Sequence, residues 1–278
     1  MTNPAFNDRV ERKYQVGVSA GEVATLWRDL RSFLLPHGLA PVPEITSVGS
    51  VYFDNKDCDL LRYSLFGRLF LVRVRTYELY GHIPEPLKEY WVEVKTAQHE
   101  RRKKKRFWLG RAPLAAFLDG KCASANVLAH KNGDATEDKL RTLYRETQET
   151  VLTMGLKPIL LVLYKRIAFQ GPTDRLSVDW DLQYYYVSRD VFEYDSWKYI
   201  VEKPTGTSDN VILETKFLGN DSPAWFPELQ QRFPIRRREY LKPVEGMGLL
   251  FRGPLQYHHE ANYFIPRIES YMIGSQLG

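Results

Sequence analysis

The chain has 278 residues, of which 44% are hydrophobic, 26% charged and 13% aromatic, the composition of an ordinary globular protein. Six Trp, 17 Tyr and 14 Phe supply enough core-forming side chains to exclude an intrinsically disordered chain. Lysine and arginine number 39 against 34 for aspartate and glutamate, so the formal charge is +5 and the chain is only mildly basic.

The sequence indicates neither a membrane anchor nor a disulfide framework. The longest apolar run, PILLVLY at 158–164, is far shorter than the ~18 residues that a bilayer-spanning helix needs. The first residues lack the apolar stretch of a signal peptide. Cys58 and Cys122 form no CxxC pair, so neither a disulfide framework nor a zinc site is supported. We therefore expect a cytoplasmic protein with no transmembrane segment.

Alternation of apolar and polar residues predicts a chain built mostly of short strands. In chain order, the predicted strands are residues 10–16, 50–53, 68–77, 90–96, 103–109, 160–170, 176–182 and 211–217. Helices are predicted at 19–35, 113–118 and 137–154, the first opened by a capping box of Ser19 and Glu22, and residues 222–233 are predicted to form a short helix or a folded loop. The prediction is an α+β fold in which an antiparallel sheet or barrel carries attached helices.

The chain shows no Gly/Ser-rich or Pro-rich linker that would divide it. We therefore expect residues 1–278 to form a single domain. Within it, a helical insertion is expected around 112–154 and a loosely structured C-terminal tail from about 253.

Several predicted strands place ionic side chains two residues apart, with apolar residues between them. The pairs are Arg73 and Arg75, Glu93 and Lys95, Lys104 and Arg106, Asp179 and Asp181, and Glu214 and Lys216. Any one pair is explained by the solvent face of an antiparallel sheet. As a set, fully ionic and of both signs, the pairs favour a closed barrel with a polar interior that holds one small ligand. Arginine and lysine suit a chain of phosphates, and carboxylates suit the divalent metal that accompanies it.

These strands resemble those of the triphosphate tunnel metalloenzyme, or CYTH-like, superfamily, and most closely its polyphosphate polymerase branch, the VTC domain. The matching elements are ERKY at 11–14, VYFDN at 51–55, RVR at 73–75, EVK at 93–95, KKRF at 104–107, YKRIAFQ at 164–170, LSVDWDL at 176–182 and LETK at 213–216. The resemblance runs from Glu11 to about Gly246. It implies a closed antiparallel β-barrel of about eight strands, with helices packed on its outside.

The resemblance also implies an activity and a set of functional residues. The activity is transfer of the terminal phosphate of ATP, or of another triphosphate, onto inorganic polyphosphate with Mn²⁺ or Mg²⁺ as cofactor. The implied catalytic residues are Lys13, Arg73, Arg75, Lys95, Arg166 and Glu214. The implied substrate-binding residues are Lys104, Arg106, Tyr164, Lys216 and Lys242. The implied metal ligand is Glu214, helped by Glu93, Asp179 or Asp181.

The chain departs from the family pattern at both ends. Arg9 stands where the hydrolytic members have the first glutamate of an ExExK strand, which favours the polymerase branch. Leu241 and Pro243 flank Lys242 where the family has a serine and an aromatic residue.

Two alternative functions stay open at this stage. One is hydrolysis of tripolyphosphate or a nucleoside triphosphate by the same fold. The other is a non-catalytic module that binds polyphosphate, nucleotide or RNA. The basic run RRKKKR at 101–106 fits a surface for polyanions, but only alternate residues of a strand share one face, and no sequence-specific nucleic-acid partner is expected.

Overall fold

One eleven-stranded antiparallel sheet dominates the computed structural model, which describes residues 9–82, 87, 89–98, 101–121, 136–198, 200, 202–218 and 222–274. The strands are β1 Arg9–Val16, β2 Ala40–Pro41, β3 Thr46–Asp54, β4 Phe70–Leu79, β5 Tyr90–Gln98, β6 Arg101–Leu109, β7 Lys157–Gln170, β8 Arg175–Tyr186, β9 Gly206–Ser208, β10 Val211–Leu218 and β11 Ile235–Arg237. All eight predicted strands are present, which confirms the antiparallel sheet.

Helices pack against both faces of this sheet. They are α1 Val23–Leu34, α2 Asp59–Leu65, α3 Arg111–Leu118, α4 Glu137–Thr153, α5 Phe226–Arg232, α6 Lys242–Phe251 and α7 Ala261–Gly274. The Ser19 and Glu22 capping box is confirmed, since the Ser19 N–H donates to the Glu22 carboxylate over 2.8 Å. Within the described residues, no helix is both long and apolar enough to cross a membrane.

The strands follow the order β11-β1-β10-β8-β7-β3-β4-β5-β6, with β2 attached to β7 and β9 to β8. In the described part of the chain, no backbone pairing joins β6 to β11 or β1. The sheet therefore has more strands than the predicted eight or so. Its closure into a barrel stays a prediction.

The sheet is nevertheless strongly curled. β1 and β5 are six strand positions apart, which in a flat sheet would separate them by roughly 29 Å. Yet the Lys95 ammonium of β5 lowers the pKa of Glu11 in β1, so the two side chains lie within electrostatic range. We call the side of the sheet on which they meet the inner face.

Apolar clusters hold helices on the two faces. On the outer face, α3 and α4 pack beside residues such as Leu161 and Leu163 of β7, and α1 and α5 pack beside Ile167 and Phe169. On the inner face, α6 and α7 pack beside Leu160, which points to the opposite side of β7. Helix α6 therefore covers the inner face at the end where β7 begins.

The prediction of a loosely structured tail is wrong for residues 261–274, which form α7. This helix buries Ala261, Phe264 and Ile268, and the Phe264 ring stacks on Phe251 of α6 with centroids 5.7 Å apart. The buried residues follow helical spacing, but Pro266 inside the helix disguised it, since proline normally interrupts a helix. In the predicted insertion around 112–154, α3 and α4 are present and residues 122–135 lie outside the described residues.

Candidate anion-binding site on the inner face

Charged side chains from seven strands and one helix converge on the inner face and influence one another's pKa. They are Glu11 and Lys13 of β1, Arg73 and Arg75 of β4, Glu93 and Lys95 of β5, Lys104 of β6, Arg166 of β7, Arg175 and Asp179 of β8, Glu214 and Lys216 of β10, and Lys242 of α6. We call this set the basic cluster, because nine of its members are cations and only four are carboxylates. Such an excess of buried positive charge fits a polyanionic ligand.

Glu93 is the centre of one half of the basic cluster. It is fully buried, and Arg73 donates to one of its oxygens from Nε at 2.7 Å and from Nη2 at 2.5 Å. The Lys104 ammonium lies 2.6 Å from the other oxygen. Burial raises the pKa of Glu93, but the surrounding cations, Arg73 above all, hold it well below the ordinary value. Both oxygens of this carboxylate are therefore engaged by cations.

Asp179 is the centre of the other half. Arg166 grips its two oxygens over 2.6 and 2.8 Å, and the Lys242 ammonium donates to one of them over 2.7 Å. Burial raises the pKa of Asp179, but these two cations lower it below the ordinary value. Tyr164 lies beneath them, since its ring centroid is 4.5 Å from the Lys242 nitrogen and 5.5 Å from the guanidinium carbon.

Glu11 and Glu214 lie on neighbouring strands with lysines between them. The Lys216 ammonium is 2.6 Å from Glu214 and 3.5 Å from Glu11. Lys13 lies 3.7 Å from Glu11 and donates to the Tyr240 carbonyl over 2.9 Å. Burial and the Glu214 carboxylate both raise the pKa of Glu11, but the lysines outweigh them and lower it to about 2. Both carboxylates are consequently ionised at neutral pH.

Lys95 differs from the other cations of the basic cluster because it makes no hydrogen bond or ion pair with any residue that the structure describes. Burial lowers its pKa, and the nearby Arg73 guanidinium lowers it further, to well below the ordinary value. The Glu11 and Glu93 carboxylates offset only part of this lowering. An anion that enters the inner face could therefore bind Lys95 without displacing a hydrogen bond or ion pair to a described residue.

A hydrogen-bond network around Glu245 positions Lys242 at the start of α6. One turn further along the helix, Glu245 accepts hydrogen bonds from the Tyr184 and Tyr240 hydroxyls. Its other oxygen accepts from Ser208 over 3.0 Å and from Asn210 over 3.2 Å. These donors come from β8, β9 and the loops beside β10 and α6. Their hydrogen bonds to Glu245 therefore hold the helix against the sheet and place Lys242 beside Asp179.

The structure brings together most of the site residues predicted from sequence. Lys13, Arg73, Arg75, Glu93, Lys95, Lys104, Tyr164, Arg166, Asp179, Glu214, Lys216 and Lys242 all lie on the inner face. Arg106 lies at the margin, with 46% of its side chain exposed and a nitrogen 4.0 Å from Glu93.

Asp181 is the exception: it lies outside the basic cluster. Its carboxylate pairs with Lys165 over 2.9 Å, and its backbone has a left-handed φ of 55°. The register between β7 and β8 shifts here, so that Asp181 and Leu182 lie opposite the single residue Tyr164. A bulge of this kind interrupts the alternation that had predicted Asp179 and Asp181 on one face.

Sequence reasoning missed Glu11 and Arg175 as members of the basic cluster. Glu11 stands two residues before Lys13, and Arg175 stands four before Asp179, so each shares the phase of a residue already identified. That phase relation was the available signal.

The described residues contain no group of three or more histidine, cysteine, aspartate or glutamate side chains placed to hold a metal. Magnesium-type ions commonly use one or two protein carboxylates and complete their coordination with substrate phosphates and water. Glu11 and Glu214 fit that pattern. Glu93 and Asp179 fit it less well, because both oxygens of each already bind cations.

Residues 8–250 match the family model of the VTC domain, which covers most of the chain. The chain belongs to the VTC domain family. Two similar proteins are both named vacuolar transporter chaperone complex subunit 4. The one from Schizosaccharomyces pombe is 27% identical over 237 residues, covering 75% of this chain and 32% of the relative. The one from Trypanosoma brucei brucei is 25% identical over 251 residues, covering 80% of this chain and 30% of the relative.

This VTC domain thus spans about a third of the length of the curated relatives that it matches. Among solved structures, a candidate adenylate cyclase of Vibrio parahaemolyticus is 12% identical and covers 85% of this chain and 96% of its own, with a TM-score of 0.41. A likeness this distant does not bear on function.

Proposed function

We propose that this VTC domain is a metal-dependent polyphosphate polymerase, which transfers the terminal phosphate of ATP onto inorganic polyphosphate at the basic cluster. The observation that carries the proposal is the convergence of nine cations on the inner face, with Lys95 lacking a hydrogen-bond or ion-pair partner among the described residues. Membership of the VTC domain family and the likeness to two subunit 4 proteins support it.

Phosphoryl transfer depends on aligning the reacting groups and on offsetting charge more than on covalent chemistry. Arg73, Arg75 and Arg166 supply planar guanidinium groups, each able to hold two phosphate oxygens and each charged at any physiological pH. The lysines add point charges around them. The chain would thus hold a triphosphate and the end of a growing polymer in a fixed orientation, which is the main contribution that a protein makes to this reaction.

Glu214, with Glu11 beside it, would hold Mn²⁺ or Mg²⁺. Both carboxylates are ionised, and their lysine partners could turn to substrate phosphates when the ion binds. When bound, the ion would polarise the phosphoanhydride bond and offset the charge of the departing nucleotide.

A tunnel is the form in which the curled sheet would serve this reaction. Glu11 of β1 and Lys95 of β5 lie within electrostatic range, so two strands near opposite edges of the sheet approach each other on the inner face. A closed bore would keep a polyanion surrounded by cations along its length. We also propose that the domain is located in the cytoplasm, as expected from the sequence.

The test is to incubate the purified protein with ATP and Mn²⁺ and to separate the products on a gel stained for polyphosphate. A ladder of polymers would support the polymerase, free phosphate alone would indicate a hydrolase, and unchanged ATP would favour a binding module.

Two adjacent lysines of β6 provide a matched pair of variants. Lys104 faces Glu93 at 2.6 Å, whereas Lys105 points to the other side and pairs with the exposed Glu146 at 3.2 Å. Lys104→Ala should reduce product formation and Lys105→Ala should not. Glu214→Ala should abolish turnover while tripolyphosphate binding, measured by calorimetry, is largely kept. Equal activity of all three variants would contradict the assignment of the site.

A further inference from the structure

Several aromatic residues lie on the same side of the sheet as the basic cluster but have no role in the proposed phosphate chemistry. Trp91 near the start of β5 and Trp108 near the end of β6 are directly paired across the two strands. Trp91 is two residues from Glu93, so both side chains leave the strand on the inner face. Tyr77, near the end of β4, is in phase with Arg75 and is 43% exposed. We call Trp91 and Trp108 the aromatic shelf.

The aromatic shelf lies at the end of the inner face that α6 does not cover. Helix α6 packs on Leu160 and Tyr184, near the start of β7 and the end of β8. The start of β5 and the end of β6 lie at the opposite end, because successive strands of this sheet run antiparallel. Trp91 is also paired with Arg75, so the aromatic shelf adjoins the basic cluster directly.

Arg106 stacks on one tryptophan of the aromatic shelf. Its guanidinium carbon lies 4.4 Å from the centroid of the Trp91 ring. Unlike the buried Arg73, Arg106 keeps 46% of its side chain exposed, and its nearest carboxylate contact, to Glu93, is 4.0 Å. The planar group therefore rests on the indole and remains accessible to a further flat ligand. Aromatic rings and guanidinium planes are the surfaces on which nucleic acid bases stack.

We propose that Trp91 and the guanidinium of Arg106 form a stacking platform for the base of the nucleoside triphosphate whose phosphates occupy the basic cluster. This inference rests on the proposed function and adds the part of the substrate that phosphate chemistry leaves unspecified. Stacking selects for a large flat ring and not for the hydrogen-bonding edge of the base, so both adenine and guanine nucleotides should bind.

The test compares ATP with inorganic tripolyphosphate, which carries the same kind of anion without a base. Calorimetric titrations of the wild type and of Trp91→Leu are expected to show about a tenfold loss of ATP affinity in the variant. The affinity for tripolyphosphate should stay within about twofold, because the cations of the basic cluster are unchanged. Arg106→Lys should behave in the same way, since it keeps the charge and removes the flat group.

Two controls separate stacking from folding. Trp91→Phe keeps an aromatic ring and should retain most of the ATP affinity. Trp27 of α1 also carries an arginine, Arg31, whose guanidinium carbon lies 5.4 Å from the ring centroid, yet it lies on the outer face. Trp27→Leu should leave both affinities unchanged.

The outcomes are distinct. Equal loss for both ligands in Trp91→Leu would mean that the tryptophan only shapes the site, and no loss for either would mean that no base stacks there; each overturns the inference and leaves the proposed function standing. Wild-type protein that binds neither ligand would overturn both.

Discussion

Asp179 offers the sharpest test of how the basic cluster is balanced. Its carboxylate is fully buried and neutralises two cations, Arg166 through two hydrogen bonds and Lys242 through one. The Asp179→Asn substitution keeps the size and shape of the side chain but removes its charge. Both cations would then be buried without the carboxylate that they bind directly, at the point where β7, β8 and α6 meet.

The expected loss of stability follows from that burial. The side chains of Arg166 and Lys242 are 13% and 9% exposed, so water can solvate neither fully. Removing one partner of a buried ion pair destabilises proteins by about 3–5 kcal/mol. Asparagine still accepts one hydrogen bond, so we expect about 3 kcal/mol, measured as the free energy of unfolding in urea.

Ligand binding should offset part of this loss. If phosphate groups bind these cations, tripolyphosphate should supply the charge that Asp179→Asn has removed. The ligand should therefore raise the unfolding midpoint of the variant more than that of the wild type, because a ligand that binds only the native state stabilises it more when its affinity is higher.

Asp119 provides the control, because it too pairs with one arginine and one lysine. Its partners are Arg189 at 2.5 Å and Lys121 at 3.3 Å, but this trio lies on the surface. Asp119→Asn should change neither the unfolding midpoint nor its response to tripolyphosphate. Unchanged stability of Asp179→Asn, or an equal response of variant and wild type to the ligand, would refute the reasoning.

Two further predictions concern the seat of α6. Glu245→Ala removes the carboxylate that accepts from the Tyr184 and Tyr240 hydroxyls and should lower the free energy of unfolding by about 1–3 kcal/mol, whereas Glu269→Ala, which breaks an exposed pair, should have little effect in the same urea titration. Gly246→Ala would place a methyl group 2.6 Å from a Leu160 carbon and should lower the thermal midpoint through a loss of about 1–3 kcal/mol; Gly274→Ala, with nothing within 4 Å, should not.

Much of the sheet and of the site could be predicted from the sequence, because the relevant signal is local. In a strand, residues two apart share a face, so RVR and EVK were enough to put Arg73, Arg75, Glu93 and Lys95 on one side of their strands. The same rule failed at Asp181, where a bulge in β8 changes the phase. Nothing in the local pattern announces a bulge, which depends on how β7 and β8 pair.

The amino-acid sequence by itself determined which side chains are charged, which of them share a face of each strand, and where most of the strands run. Only the tertiary structure decided which carboxylates form ion pairs with cations and that Lys95 forms none with a described residue. It also decided that α6 places Lys242 beside Asp179. The physical reason is range. Alternation acts between neighbours in the chain, whereas electrostatic interactions act between residues such as Glu11 and Lys95 that approach each other only after the sheet has curled.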